Sequence, residues 1–292
     1  MKIGLQIPDF PWTGGAQSIA AGLRETALAA DAGGFSSLWV MDHFFQIQMI
    51  GSPDEPMLEA YSTLNFLAGI TQNVKLGALV TGVIYRQPAI LVKTVTTLDV
   101  LSGGRAILGI GAAWNEEESR GLGIPFPPLK ERFERLEEAL QIAHWMWAGN
   151  QRPFAGKYHH LERPLNYPAA IQKPHPPILI GGSGEQKTLR LVAQYADACN
   201  LFARAGRETL IHKLDVLKGY CDAAARPYEA IEKTALSSAI FNGETLDLLA
   251  MEKECRMLAE IGIQQVIYNL PHRLTAAHVE KIGRELLPAV NG

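Results

Sequence analysis

Two stretches of the sequence place reactive side chain types where a backbone can aim them. In LWVMDHFF (residues 38–45) an apolar run ends in Asp42 and His43, with Phe44 and Phe45 behind them. An imidazole titrates near neutral pH, so His43 suits a general acid or base, and the alternative is a histidine satisfied by a structural hydrogen bond. Phe44 and Phe45 read as wall and core, and would keep water from a flat apolar cofactor. In GGSGEQKT (residues 181–188) three glycines let backbone approach closely, and Ser183 followed by Gln186 fits a capping box. A helix starting there presents free N–H groups and the positive end of its dipole to a phosphate. The stretch is not a Walker A loop, because Gln186 stands where that motif has glycine before Lys-Thr. A glycine-rich turn with no ligand is the competing reading. GIGAAW (residues 109–114) lacks the third glycine of a dinucleotide fingerprint, and Gly109 and Gly111 read equally as packing positions.

Other polar residues point elsewhere. Glu116, Glu117 and Glu118 are adjacent, so they cannot all face one site, and a solvated helix start is expected for them. Glu59 falls early in a helix and could face a pocket mouth. His159 and His160 lie in a loop-like segment where exposure is expected. No His/Cys/Asp/Glu spacing indicates a metal, no Ser-His-Asp set has a nucleophile elbow, and Lys75 opens a strand rather than ending one. A barrel aldolase or hydrolase therefore lacks support.

The elements that must position these residues alternate along the chain. Strand-like runs occur at residues 3–7, LWV, VKLGALVTG, RAILGIG, PILIGG, DACNLF, TALSSAI and QQVIYN. Helical stripes lie between them, such as Ile19, Leu23, Ala27 and Ala30, or Phe133, Leu136, Leu140, Ala143 and Trp147. Pro88 opens one helix and a Ser-Gly-Gly stop follows it at Ser102. The strands are apolar at consecutive positions, as in a parallel sheet covered on both faces. Eight such units predict a (β/α)8 TIM barrel in one domain over residues 1–292, with a doubly wound open sheet as the alternative. A long interruption, residues 148–177, reads as an inserted hairpin and loop between the fourth barrel helix and the fifth strand. Barrel chemistry belongs at the carboxyl ends of strands, which here deliver Asp42 and His43, Leu79 to Gly82, GIGAAWNEEE (residues 109–118), GGSGEQKT (residues 181–188), Asn200, Ser237, Ser238 and Asn269.

Composition bounds the partners. With 27 basic and 30 acidic residues the net charge is −3, giving no basic surplus for nucleic acid. Three cysteines, Cys199, Cys221 and Cys255, have no metal-like spacing; two share helical stripes with leucines and read as small buried hydrophobes, as in a reducing cytoplasm. The N-terminal MKIGLQIPDF reads as neither signal peptide nor membrane anchor.

Several of these motifs, in order, resemble the luciferase-like oxidoreductases, particularly the branch that uses the deazaflavin coenzyme F420. The resemblance is carried by LWVMDHF, VKLGALVTG, YRQPAILVKTVTTLDVLSGGRAILGIGAAWNEEE and PPILIGGSGEQKTLRLVAQYADACN, and is looser after Asn200. It implies a barrel of the bacterial luciferase type, usually dimeric, holding a flavin or deazaflavin at its mouth. It implies that His43 lies at the reactive face as proton donor or acceptor, with Asp42 contacting or orienting. It places a non-prolyl cis peptide at Leu79-Val80, behind the central ring. Cofactor contacts are expected from Asp42, Leu79, Val80, Thr81, Gly111, Ala112, Asn115, Gly182, Ser183 and Gly184. The substrate pocket is expected to take Trp12, Phe44, Trp114 and Tyr158. Flavin-using luciferases have a phosphate-binding arginine where this chain has Ala112, and tend to have glutamate where Asp42 stands, so the resemblance implies F420, with FMN as the alternative. The implied activity is hydride transfer between carbon 5 of F420 and a small organic substrate. The alternatives are an FMN-dependent monooxygenase using oxygen and a non-catalytic cofactor-binding member.

Overall fold

A computed structural model describes residues 1–291 of the chain. Eight parallel strands form the barrel: β1 (Lys2–Ile7), β2 (Ser37–Val40), β3 (Lys75–Ala78), β4 (Ala106–Gly111), β5 (Ile178–Gly181), β6 (Ala198–Phe202), β7 (Glu232–Ser238) and β8 (Gln265–Asn269). Their order is β3-β2-β1-β8-β7-β6-β5-β4, and β3 also pairs with β4, which closes the sheet. The main helices are α1 (Ala16–Ala32), α2 (Ala60–Ile70), α3 (Pro88–Leu101), the short α4 (Glu116–Gly121), α5 (Leu129–Trp147), α6 (Arg190–Tyr195), α7 (Arg207–Ala223), α8 (Leu248–Glu260), α9 (Ala276–Lys281) and α10 (Leu287–Asn291). The predicted (β/α)8 TIM barrel is therefore the fold.

Consecutive apolar residues in each strand serve two cores. Alternate side chains fill the barrel interior, where Trp39, Leu79, Ile107, Leu179, Ala198 and Ile267 pack together. The others, such as Leu38, Val40, Leu108, Ile180, Ala235 and Val266, meet the helices outside. The two stripes carrying Cys221 and Cys255 are buried as expected, and all three cysteines are free. Burial raises the Cys199 thiol to about 12, so it stays an inert thiol.

The third strand departs from the single run expected over VKLGALVTG. It stops at Ala78 and resumes as the two-residue piece Thr81–Gly82. Register shows why: Gly77 pairs with Ile107 while Thr81 pairs with Ile110, so one extra residue lies on the β3 side. The bulge holds the cis peptide Leu79-Val80. Gly109 on β4 is what lets it fit, since a Cβ there would lie 2.0 Å from the Ala78 carbonyl oxygen. Inside the barrel, the Gln6 side chain amide donates to the Leu79 carbonyl at 3.2 Å.

Between α5 and β5 lies a small antiparallel hairpin, Phe154–Ala155 with His160–Leu161. Its turn is fastened to α5 by Glu138, whose carboxylate accepts from the N–H groups of Lys157, Tyr158 and His159. His159, expected at the surface, is half-buried against this anchor, whereas His160 is exposed.

Candidate functional site

A cavity of about 630 Å³ opens at the carboxyl ends of the strands. Its wall includes Asp42, His43, Leu79, Val80, Thr81, Gly111, Ala112, Trp114, Gly182, Asn200, Ser237, Ser238 and Asn269, so most strand-end residues singled out in the sequence converge on one space. Val80, from the bulge, stands between the ends of β4 and β5. A Cβ at Gly111 or Gly181 would come within 2.9 or 2.8 Å of its methyl groups, so only glycine leaves room for Val80 as a cavity floor.

His43 and Asp42 are neighbours in sequence but belong to different pairs. The His43 Nδ1 lies 3.2 Å from Oε1 of Glu118, and its ring meets Trp114 edge-on at 5.3 Å. Glu118 is fully buried and accepts three further bonds: from Phe44 N–H at 2.7 Å, Phe45 N–H at 3.0 Å and the Tyr85 hydroxyl at 2.5 Å. An ionised carboxylate only accepts, so Nδ1 carries the proton it shares with Glu118. The Nε2 atom has no hydrogen-bond partner among the described residues, and His43 borders the cavity. Burial alone would raise the Glu118 carboxyl, but the bonds from His43, Phe45 N–H and Tyr85 outweigh it and hold it below the usual range.

The solvated role expected for Glu116 to Glu118 thus holds for the first two only. Asn115 caps α4, accepting from Glu118 N–H at 3.2 Å, and successive helical residues point about 100° apart. Glu116 and Glu117 therefore face water while Glu118 points back at residues 43–45, just after β2. The Asn115-x-x-Glu118 spacing is a capping-box pattern, the one sequence signal that could have singled out Glu118. Asn115 itself serves as this cap and borders a smaller adjoining cavity rather than the main one.

Asp42 is paired with Arg86, a residue the sequence reading missed. The guanidinium grips both carboxylate oxygens at 2.7 and 2.9 Å, reaches Glu59, and lies 4.9 Å over the Tyr61 ring. Burial pushes the Asp42 carboxyl above the usual range, and Arg86 opposes that shift. A buried aspartate requires such a partner, which was the available signal in the YRQP stretch. Glu59 meets the site through Arg86 and caps α2 by accepting from Ser62 N–H at 2.6 Å.

The glycine-rich turn after β5 differs in detail from the capping box expected there. The helix is capped by Gly184, not Ser183, without a side-chain bond, and its first turn, Glu185–Leu189, is π-helical before α6. Gly182, at φ +117°, Gly181 and Thr188 face the cavity, while Ser183 and Gly184 do not line it. Of the four residues expected around the substrate, Trp114 lines the cavity. Trp12 instead packs on Gly22 of α1, where a Cβ would lie 2.4 Å from its indole. Phe44 turns away to meet Tyr85 edge-on at 5.2 Å, and Tyr158 stays with the hairpin, its hydroxyl bonded to Glu134 at 2.5 Å.

Comparison with known proteins follows this geometry. The family model described as luciferase-like monooxygenase matches residues 1–264. An uncharacterised protein of Mycobacterium tuberculosis is 26% identical over 232 residues, covering 78% of this chain and 76% of that protein. An F420-dependent glucose-6-phosphate dehydrogenase of Amycolatopsis mediterranei is 30% identical over 218 residues, covering 73% of this chain and 62% of the relative. Among solved structures, an F420-dependent secondary alcohol dehydrogenase in complex with an F420-acetone adduct superposes with a TM-score of 0.83 at 19% identity, over 99% of this chain and 98% of that one.

Proposed function

Because the chain belongs to the luciferase-like monooxygenase family, we propose that it is an F420-dependent oxidoreductase acting on a small organic substrate, with His43 moving the proton that accompanies the hydride. The observation that carries this reading is the His43–Glu118 pair at the cavity wall, which leaves Nε2 without a partner among the described residues. The relatives named as F420-dependent support the cofactor.

The cavity fits such a group. Gly111 and Gly181 lack the Cβ atoms that would crowd Val80, leaving a flat floor for a ring, and Gly182, Thr188 and the free N–H groups of the following turn would hold a phosphate. When bound, the deazaflavin supplies or accepts hydride at carbon 5. The chain's own residues do the rest. Glu118 fixes the His43 tautomer with its proton on Nδ1, so Nε2 can take a proton from a substrate hydroxyl or return one. Arg86 neutralises Asp42, which keeps an unpaired charge out of the wall. Leu79, Val80, Met41, Ile47 and Trp114 exclude water.

The barrel would act as a homodimer, for which the exposed Ile90 and Leu101 on α3 and Phe66 on α2 offer apolar surface. Among the described residues no helix is long and apolar enough to cross a membrane, and buried free cysteines suit a reducing cytoplasm. The family description leaves FMN-dependent monooxygenation as the second reading. Side-by-side titration with F420 and FMN, read as ligand-induced stabilisation, separates them. Preference for F420 is expected, followed by a His43→Ala variant whose turnover falls far more than its F420 affinity. Preference for FMN with oxygen consumption would replace the proposal, and equal loss of turnover and affinity in His43→Ala would make His43 a cofactor-binding residue.

A further inference from the structure

On one side the cavity is lined by Leu236 and Ser237 of β7, Asn269 of β8 and Glu254 of α8, a recess that the hydride-transfer reading does not use. Leu236 packs in the barrel interior, so its neighbour Ser237 points outward to α8. There it meets Glu254, donating to Oε1 at 2.9 Å and Oε2 at 3.0 Å. The fully buried Tyr268 donates to Oε2 at 2.8 Å. Burial first, then the neighbouring Cys255 and Glu254, push the Tyr268 phenol far above its ordinary value, so it remains a donor. Glu254 and Ser237 both border the main cavity, two to three strands round the sheet from His43.

Glu254 differs from the other acids of the site. Asp42 is compensated by Arg86, and Glu118 accepts from His43, but Glu254 has no ion pair among the described residues. An ionised carboxylate offers about four lone-pair sites, and two hydroxyls do not neutralise it. A half-buried, uncompensated acceptor is complementary to a donor that carries positive charge. The same cavity also carries the apolar side chains of Met49, Ile50, Phe202 and Pro271 on its wall. Among the described residues the one lysine or arginine lining the cavity is Arg204, which is exposed, lies 5.1 Å over the Phe202 ring and is more fully screened by solvent than Glu254.

We propose that the recess is a substrate subsite in which Glu254, held by Ser237 and Tyr268, binds a protonated amine carried on an apolar skeleton. This deepens the hydride-transfer reading by giving the class of its substrate: an amino alcohol or amino ketone rather than an anionic one. The binding itself needs no cofactor, which lets the two be tested apart.

The test is calorimetric titration of the full chain, with and without F420, using three probes that share one ring: cyclohexanol, trans-4-aminocyclohexanol and 4-hydroxycyclohexanecarboxylate. A charge-assisted bond of this kind corresponds to about tenfold in affinity or more. The amine is expected to bind at least about tenfold more tightly than cyclohexanol, with the carboxylate weakest, and Glu254→Gln is expected to bring the three within about threefold. A carboxylate bound best, an amine no tighter than cyclohexanol, or a preference that survives Glu254→Gln would each overturn the proposal. So would a preference abolished by Arg204→Gln instead. Should Glu254→Gln not fold, the ranking in the unaltered protein decides in the same way. An amine preference without F420 binding would refute the cofactor reading and leave the subsite standing; F420 binding without that preference would do the reverse.

Discussion

Replacing Glu118 by glutamine removes one charge and forces a choice of orientation. The N–H groups of Phe44 and Phe45 can only donate, so the amide oxygen of Gln must take the place of Oε2 beside them. Its NH2 then faces His43 Nδ1 and the Tyr85 hydroxyl, where Oε1 had been; the Oε2 position, 3.3 Å from Nδ1, already takes the Phe44 and Phe45 N–H groups, so the nearer NH2 sets the tautomer. Tyr85 can turn its hydroxyl round, but Nδ1 can accept only by giving up its proton. The variant therefore carries the His43 proton on Nε2, and a neutral imidazole so arranged cannot accept another there. Proton abstraction should slow by about 10²–10⁴-fold, the usual contribution of a general base, while F420 affinity changes less than about threefold. Stability should fall by about 2–3 kcal/mol, since charge-assisted bonds to a buried acceptor become neutral ones. The Glu118 carboxyl is held below its ordinary value of 4.5, so its contribution is fully present above that pH and is lost as pH falls through the lower folded value. The stability gap between the two proteins should accordingly be widest near neutrality and close in acid. Rapid-mixing turnover of F420, urea denaturation against pH and nitrogen NMR of the imidazole read the three effects. Turnover within about threefold of the unaltered protein, or an imidazole still protonated on Nδ1, would refute the reasoning.

Three further outcomes follow from the packing. Arg86→Met leaves the Asp42 carboxylate buried and unpaired and should cost about 3–5 kcal/mol in urea denaturation, most of it recovered in the Arg86→Met/Asp42→Asn double variant. Gly109→Ala drives a Cβ to within 2.0 Å of the Ala78 carbonyl oxygen. Both sides of that clash are backbone, so a loss of about 3 kcal/mol or a failure to accumulate folded protein is expected. The buried Arg105 guanidinium donates to the carbonyls of Ala68, Thr71, Val74 and Ser102 and so closes the end of α2. Arg105→Met should lower stability by about 3 kcal/mol with F420 binding kept, measured by thermal unfolding and titration.

The arrangement of the site explains why some of it could be read in the chain and some could not. Eight alternations of apolar strand and helical stripe are local patterns, each written within a dozen or so residues, and they imply the barrel because a strand buried on both faces has few other homes. Asp42, His43, Leu79, Val80, Gly111 and Gly182 were legible for the same reason: each follows a recognisable strand, and strand ends share one rim. Resemblance to a family added the bulge and the cofactor.

Partners across the rim were a different matter. His43 and Glu118 are 75 residues apart, and Asp42 and Arg86 are 44 apart. Nothing in the sequence near His43 distinguishes the adjacent Asp42 from the distant Glu118 as its carboxylate. The choice is made when the barrel closes and α4 rotates one of three consecutive glutamates inward. Closure likewise sends Trp12 to α1 and Tyr158 to the hairpin, and it sets Glu254 beside Ser237 with no cation paired to it among the described residues. The sequence by itself determined the barrel and the rim on which chemistry could occur, because periodicity and strand ends are local. Tertiary structure alone decided which acid holds His43, which cation answers Asp42 and which carboxylate is left uncompensated, because hydrogen bonds and charges act through space between loops the chain keeps far apart.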